Sequence, residues 1–340
     1  MEESGTASAA ARRPNPRDPY PEPQPRTGVD GTPATELGPD AVAILDGRTF
    51  LVSDAFGDVP AGSVGGLVHE DTRFVSRWEL TVAGRTPSLL KSGAVDYDSA
   101  AFFVTNPELP NLEAGSLAVR RLRLVGDGLF EEIRVFNTRP DAIRFELRLG
   151  CGADFADLFE IRDVVRDRSP SIATTGSTGG RSLRFRYSVP GFLAETTIRV
   201  ERSEVVESVT EHAVAPAPPR LEKSDLVWDV ELSARCHLVA LVKVAVRVNS
   251  AVFEPKHAAF GERLAPLAGP LGDWLGRIPK LESSSSLLVS TYRQSVVDLA
   301  ALRITGDLLG EHYVLPAAGL PWFMTLFGRD TLITLSLIHI

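Results

Sequence analysis

The stretch Leu315–Leu337 holds the residues of this 340-residue chain whose types and spacing could do chemistry. Trp322, Phe323 and Phe327 crowd a short span, Gly328 lets the backbone approach a neighbour closely, and Arg329 and Asp330 follow at once. An aromatic wall suits the apolar face of a pyranose ring, and a carboxylate accepts hydrogen bonds from hydroxyls. The same residues also permit a plainer reading. Asp330 is a favoured type for the N-cap of a helix starting at Thr331, and Arg329 could pair with a distant carboxylate.

These side chains must be positioned by the elements around them. Gly319 and Pro321 are expected to end a preceding helix, and Leu332, Ile333, Leu335 and Leu337 resume a buried helical pattern. Leu288, Tyr292, Val296, Leu299 and Leu302 share one stripe, which predicts a helix over 287–302 capped by the polar cluster Ser283–Ser286. Asp298 lies near that stripe and is expected to orient an arginine or a loop. Upstream the period is two. Ala41–Asp54 reads as a hairpin about Asp46–Gly47, and Leu117–Phe136 as another about Gly126-Asp127-Gly128. Phe74, Trp78, Leu80 and Val82 alternate, as do Phe145, Leu147 and Leu149, then Leu183 to Val200, then Leu226 to Leu232. Cys236–Val248 is a β-branched run expected to be buried on both faces. These signals predict a large antiparallel two-sheet sandwich over 40–250. From Val252 the spacing turns helical but is broken by Pro266 and Pro270, so 251–282 reads as a linker with short helices, and 283–340 as the start of a helical domain.

A second concentration of charge is Asp154–Arg168, with Asp154, Asp157, Glu160, Asp163 and Asp167 interleaved with Arg162, Arg166 and Arg168. Paired carboxylates can do acid–base work. The stronger expectation is structural: Phe155, Leu158 and Phe159 bury one side, and the alternating charges form a solvated, salt-bridged face.

Composition closes off several classes. Hydrophobic content of 44% with 24% charged residues is that of a globular chain. The net charge of −8 leaves no positive footprint for nucleic-acid phosphates. Six scattered histidines and two cysteines, Cys151 and Cys236, have no metal-ligand spacing, so no metal is expected. Two buried thiols suit a reducing cytoplasm. No nucleotide or dinucleotide motif occurs, and no cofactor is expected. No apolar run is long enough to span a membrane. Residues 1–39 are rich in Pro, Ala and Gly and poor in large apolar residues, which predicts disorder; Arg12–Arg13 is not followed by the apolar stretch of a secretion signal.

Three strings go further together. AAGLPWFMTLFGRDTLI (317–333) resembles the start of the catalytic domain of bacterial and archaeal glycogen-debranching enzymes of the amylo-α-1,6-glucosidase type. GADFADLFEIR (152–162) and HEDTRFVSRWELTVAGR (69–85) resemble that family's N-terminal domain. The resemblance runs from about Ala41 to Leu337. It implies a β-sandwich followed by the first helices of an (α/α)6 toroid, and an inverting hydrolysis of α-1,6-linked glucose at the branches of a glycogen-like glucan. By this comparison the catalytic acid and base fall after Ile340, so no catalytic residue is expected in this chain. Substrate-binding roles carry over to Asp330 as acceptor for glucose hydroxyls, Arg329 as holder of Asp330 or the sugar, and Trp322 and Phe327 as the apolar wall.

The run ending at Ile340 has no helix-stop signal, which predicts an incomplete toroid and a fragment without hydrolytic activity. Families with a similar barrel start act on other α-glucosides, so the partner is expected to be a branched α-glucan or another α-glucoside. The alternative from a different class is a non-catalytic β-sandwich that binds glucan or a protein partner.

Overall fold

A computed structural model describes residues 24–25, 37–162, 164–165, 168–177, 179–255, 276–308, 311–320 and 323–339. The mainly β class read from the sequence holds, and the strands lie in several antiparallel sheets. Strand β1 (Gln24–Pro25) pairs with β12 (Val164–Val165); the rest of 1–36, where a disordered tail is expected, lies outside the described residues.

A four-stranded meander comes first: β2 (Val42–Asp46), β3 (Thr49–Ser53), β4 (Gly66–His69) and β5 (Thr72–Val75). Asp46 pairs with Thr49, so the tight turn is Gly47–Arg48, one residue later than the expected Asp46–Gly47, and Gly47 takes the positive φ of 58° that the turn demands. A second four-stranded sheet has the order β17 (Arg220–Glu222), β18 (Asp225–Leu232), β11 (Ile143–Gly152) and β6 (Arg77–Val82).

The largest sheet has ten strands. Its path runs β13 (Ile172–Gly176), β14 (Ser182–Val189), β15 (Phe192–Glu207), β19 (Cys236–Val248), β10 (Leu129–Asn137), β9 (Leu117–Val125), β8 (Ser99–Thr105) and β7 (Ser88–Asp96). Strand β16 (Ala213–Pro216) adds to β15, and β20 (Ala251–Phe253) to β19. Val252 and Phe253 are therefore in a strand and not in the expected helical linker; residues 256–275 lie outside the described set.

Side chains from the meander, the second four-stranded sheet and the ten-stranded sheet meet in one apolar core. Ile44 and Phe74 of the meander, Trp78 and Leu147 of the smaller sheet, and Phe102, Ile133 and Val244 of the large sheet belong to it. Cys151 and Cys236 are buried free thiols in that core, and burial pushes Cys151 well above the ordinary thiol range.

Helix α1 (Leu158–Arg162) follows β11, and α2 (Ser286–Ala301) and α3 (Gly328–His339) lie in the C-terminal part. Ser285 caps α2 by accepting from the Leu288 amide, as the serine cluster led one to expect. Between α2 and α3 stands a hairpin, β21 (Arg303–Leu308) and β22 (Glu311–Pro316). The element ahead of Gly319 is thus a strand and not the expected helix. The β-branched and aromatic residues Ile304, Tyr313 and Val314 favour the ladder.

A second apolar cluster positions the helical part. Leu45, Phe50 and Val68 of the meander and Ala156, Leu158 and Ile161 around α1 share it with Ala301, Ile304, Ala317 and Met324. The meander thus uses one face for the main core and the other for the C-terminal segment, the period-two consequence of alternating side chains.

Candidate functional site

The loop carrying the aromatic and charged residues leaves β22 at Ala317. The Ala317 amide donates to the Leu302 carbonyl at 2.9 Å, which fixes the start of the loop to the end of α2. Gly319 and Phe323 exchange amide–carbonyl bonds of 3.0 Å in both directions and close a tight loop between them. Gly319 sits at φ 148°, which favours glycine. Met324 is buried in the second apolar cluster and anchors the far side.

The outward side chains are arranged differently. Phe323 and Phe327 are 46% and 39% exposed and meet edge-to-face, with ring centroids 5.4 Å apart. Helix α3 begins at Gly328, so Asp330 lies in its first turn and is not the N-cap of a helix starting at Thr331. The helix dipole favours a carboxylate there. Thr331 is buried and turns inward, its hydroxyl donating to the Pro316 carbonyl at 3.4 Å. Arg329 and Asp330 point to solvent, with a closest N–O separation of 4.0 Å, a surface pair that contributes little stability. Both heads are consequently open to hydroxyls. Trp322 lies outside the described residues, so the structure brings together Phe327, Arg329 and Asp330 from the expected set and adds Phe323. Phe323 had a sequence signal, its place in the aromatic crowd, but the spacing did not say which ring faced out.

Leu320 of this loop also borders a cleft of 650 Å3 between the sheets and α2, lined among others by Leu45, Tyr97, Arg293 and Asp298. Asp298 is exposed and accepts from the Gln294 amide group at 2.8 Å, one helical turn away. Of the two roles expected of it, orienting an arginine or a loop, the first is not met: no bond joins its carboxylate to an arginine among the described residues.

The segment Asp154–Arg168 is structural. Asp154 pairs with the buried Arg73, and Phe155 adopts a left-handed φ of 52° with its ring 5.8 Å from Phe74 and 6.1 Å from Tyr187. Asp157 caps α1, accepting from the Phe159 and Glu160 amides at 2.9 Å, while Glu160 accepts from the Asp157 amide at 3.0 Å. This is a reciprocal capping box. Glu160 also takes both ends of the Arg168 guanidinium, at 2.7 and 3.0 Å. Two expectations fail here. Phe159 is 78% exposed and buries nothing, because on this short helix it lies opposite Leu158 and Ile161. Glu160 and Arg168 are buried rather than on a solvated face. Asp163, Arg166 and Asp167 lie outside the described residues.

Sequence reasoning missed a buried charged cluster in the main core. Arg121 and Arg123 both bond Glu131, with Nε distances of 2.6 and 3.0 Å, and Arg121 also binds Asp58. The Trp78 indole donates to Glu131 at 2.7 Å. Burial alone would raise Glu131, but the two guanidinium charges outweigh it and hold its carboxyl below the ordinary range. Burial wins at Asp58, whose pKa is pushed up to about 6 despite Arg121. Enclosed and mutually paired, these groups tie β9 and β10 to the smaller sheet and to the 54–58 loop. Among the described residues no group of three or more His, Cys, Asp or Glu converges as a metal site, and no helix is long and apolar enough to cross a membrane.

An antiparallel β core is thus joined through one apolar cluster to a solvent-facing aromatic and acidic loop. Residues 44–240 match the family described as the N-terminal domain of (some) glycogen debranching enzymes, and the chain belongs to that family. Among solved structures it is similar to the crystal structure of a heparan sulfate lyase HepC mutant from Pedobacter heparinus. The identity is 10% and the TM-score 0.32, over 62% of this chain and 40% of that one. The chain therefore spans less than half the length of that protein. No curated protein matches.

Proposed function

We propose that the chain is the N-terminal part of a glycoside hydrolase that cleaves α-1,6-glucosidic branch points of glycogen-like glucans. Membership of the debranching-enzyme N-terminal family carries this reading. In it, the β region is a sandwich that supports the first helices of an (α/α)6 toroid, α2 and α3. An inverting glycosidase needs an acid to protonate the leaving oxygen and a base to activate water, with carboxyls ~6.5–9.5 Å apart. We assign neither role to a residue of this chain. Within it, Asp330 accepts hydrogen bonds from glucose hydroxyls, Arg329 donates to the sugar, and Phe327 with Phe323 and Trp322 forms the apolar wall. The exposed edge-to-face pair beside two solvent-facing charges supports those roles.

Glucose release from a branched limit dextrin tests the proposal. The 340-residue chain alone is expected to release none, whereas an enzyme containing it together with a complete toroid does. In that enzyme Asp330→Ala should lower turnover on the order of tens-fold. Unchanged turnover would remove the role given to Asp330, and release by the chain alone would put the acid and base inside it.

A further inference from the structure

The outer face of the large sheet, remote in sequence from the aromatic loop, carries a depression of 680 Å3 over β7–β10. Strand register explains its shape. One row across four strands reads Lys91, Phe103, Arg120, Arg134, each paired with the next. The adjacent row reads Gly93, Ala101, Leu122, Glu132. Glycine and alanine leave a trough beside the taller row, and four strands span about 14 Å at the usual inter-strand spacing. Phe103 is 39% exposed in it, although it sits in a strand whose neighbours Phe102 and Val104 are buried. Arg120 and Arg134 both bond Glu132, at 3.0 and 2.7 Å, and Lys91 has no ion-pair partner among the described residues.

We infer that this trough is a second saccharide-binding site, which holds a stretch of neutral α-glucan against Phe103 by hydrogen bonds from Lys91 and Arg134. The ligand class rests on the function proposed above; the site rests on the trough. An exposed ring on a flat strand face offers a stacking platform for a pyranose. Lys91, Arg120 and Arg134 present donors along one row, which match hydroxyl oxygens as acceptors, and the buried Glu132 holds the two guanidiniums in place. A polyanion is disfavoured because Glu132 already occupies the position between the two guanidiniums. A site of this kind would retain the enzyme on a branched particle while the loop at Asp330 engages one stub.

Affinity electrophoresis of the full chain in native gels containing glycogen tests this. Phe103→Ala, an exposed position, should weaken retardation about tenfold or more, as expected for truncating an aromatic anchor. Lys91→Ala should weaken it less, and Asp330→Ala should leave most of it, with thermal melts verifying that each variant is folded. Retardation by glycogen that Phe103→Ala leaves unchanged overturns the trough and leaves the proposed function standing. Retardation by a β-glucan alone, still dependent on Phe103, upholds the trough and overturns the α-glucan reading. Absence of retardation by any neutral glucan, or binding only to dextran sulfate, overturns the site.

Discussion

Arg73 and Asp154 form a two-point ion pair, Nε to Oδ1 at 3.0 Å with a second bond from Nη2 to Oδ2. The same guanidinium donates from Nη1 to the carbonyls of Ser63 and Gly65, both at 2.9 Å. Gly66 must be a glycine beside it, since a Cβ there would collide with the Val75 carbonyl and the Arg73 side chain. One buried arginine thus joins the two motifs, HEDTRF and GADFADLFEIR, that carry the resemblance in the β region. Removing one partner of such a pair strands a charge in the interior. Asp154→Ala should cost about 3 kcal/mol or more in urea unfolding. A loss under ~1 kcal/mol would show that solvent or the two carbonyls suffice for Arg73.

Asp157 and Glu160 share the capping box of α1, but only Glu160 also holds the buried Arg168. The two deletions should therefore differ. Asp157→Ala is expected to cost about 1 kcal/mol, the usual loss for a cap. Glu160→Ala should cost about 3 kcal/mol, because it leaves a guanidinium unpaired. Equal losses would mean that Arg168 finds another partner.

Asp58 gives a pH signature. Its folded pKa of about 6 lies above the ordinary aspartate value of 3.8, so the folded state holds this proton more tightly than the unfolded chain. Its favourable contribution is complete below the unfolded value and is lost as pH rises through the folded one, by about 3 kcal/mol in all. Asp58→Asn does not titrate. Relative to that variant, the wild type should lose stability between pH 4 and pH 7, measured by denaturant midpoints. A pH-independent difference would mean that Asp58 stays ionised throughout.

The elements that were legible in the sequence are those with a clean period and a glycine turn. Strands β9 and β10 flank Gly126-Asp127-Gly128 as read, because Val119, Val125, Leu129 and Ile133 mark one face and Asp127 takes a positive φ of 58°. The same parity places Arg121, Arg123 and Glu131 on that inner face. A charge in a strand usually marks the solvent side, so alternation alone argued against what the residue numbers implied. The hairpin over β21 and β22 was obscured by the helical stripes on either side. At the aromatic loop, composition singled out the crowded rings and the Arg–Asp pair, but which rings face out depends on the Gly319–Phe323 closure and on Met324, which no local pattern shows.

Met324 and Phe327 are three residues apart and do opposite work. Met324 is 5% exposed and belongs to the cluster shared by the meander, α1 and the C-terminal segment. Phe327 stands outside it with 39% of its surface exposed. Met324→Ala should therefore cost about 2–4 kcal/mol. It should also loosen the loop, seen as faster amide exchange at Gly319 and Phe323, whose mutual bonds close it. Phe327→Ala should change stability by less than ~1 kcal/mol. In an enzyme containing this chain and a complete toroid it should raise KM for branched glucan with turnover less affected, since an apolar wall binds ground state and transition state alike. Should Phe327→Ala destabilise the fold as much as Met324→Ala, its ring is part of the packing, and the sugar wall must be sought elsewhere on the loop.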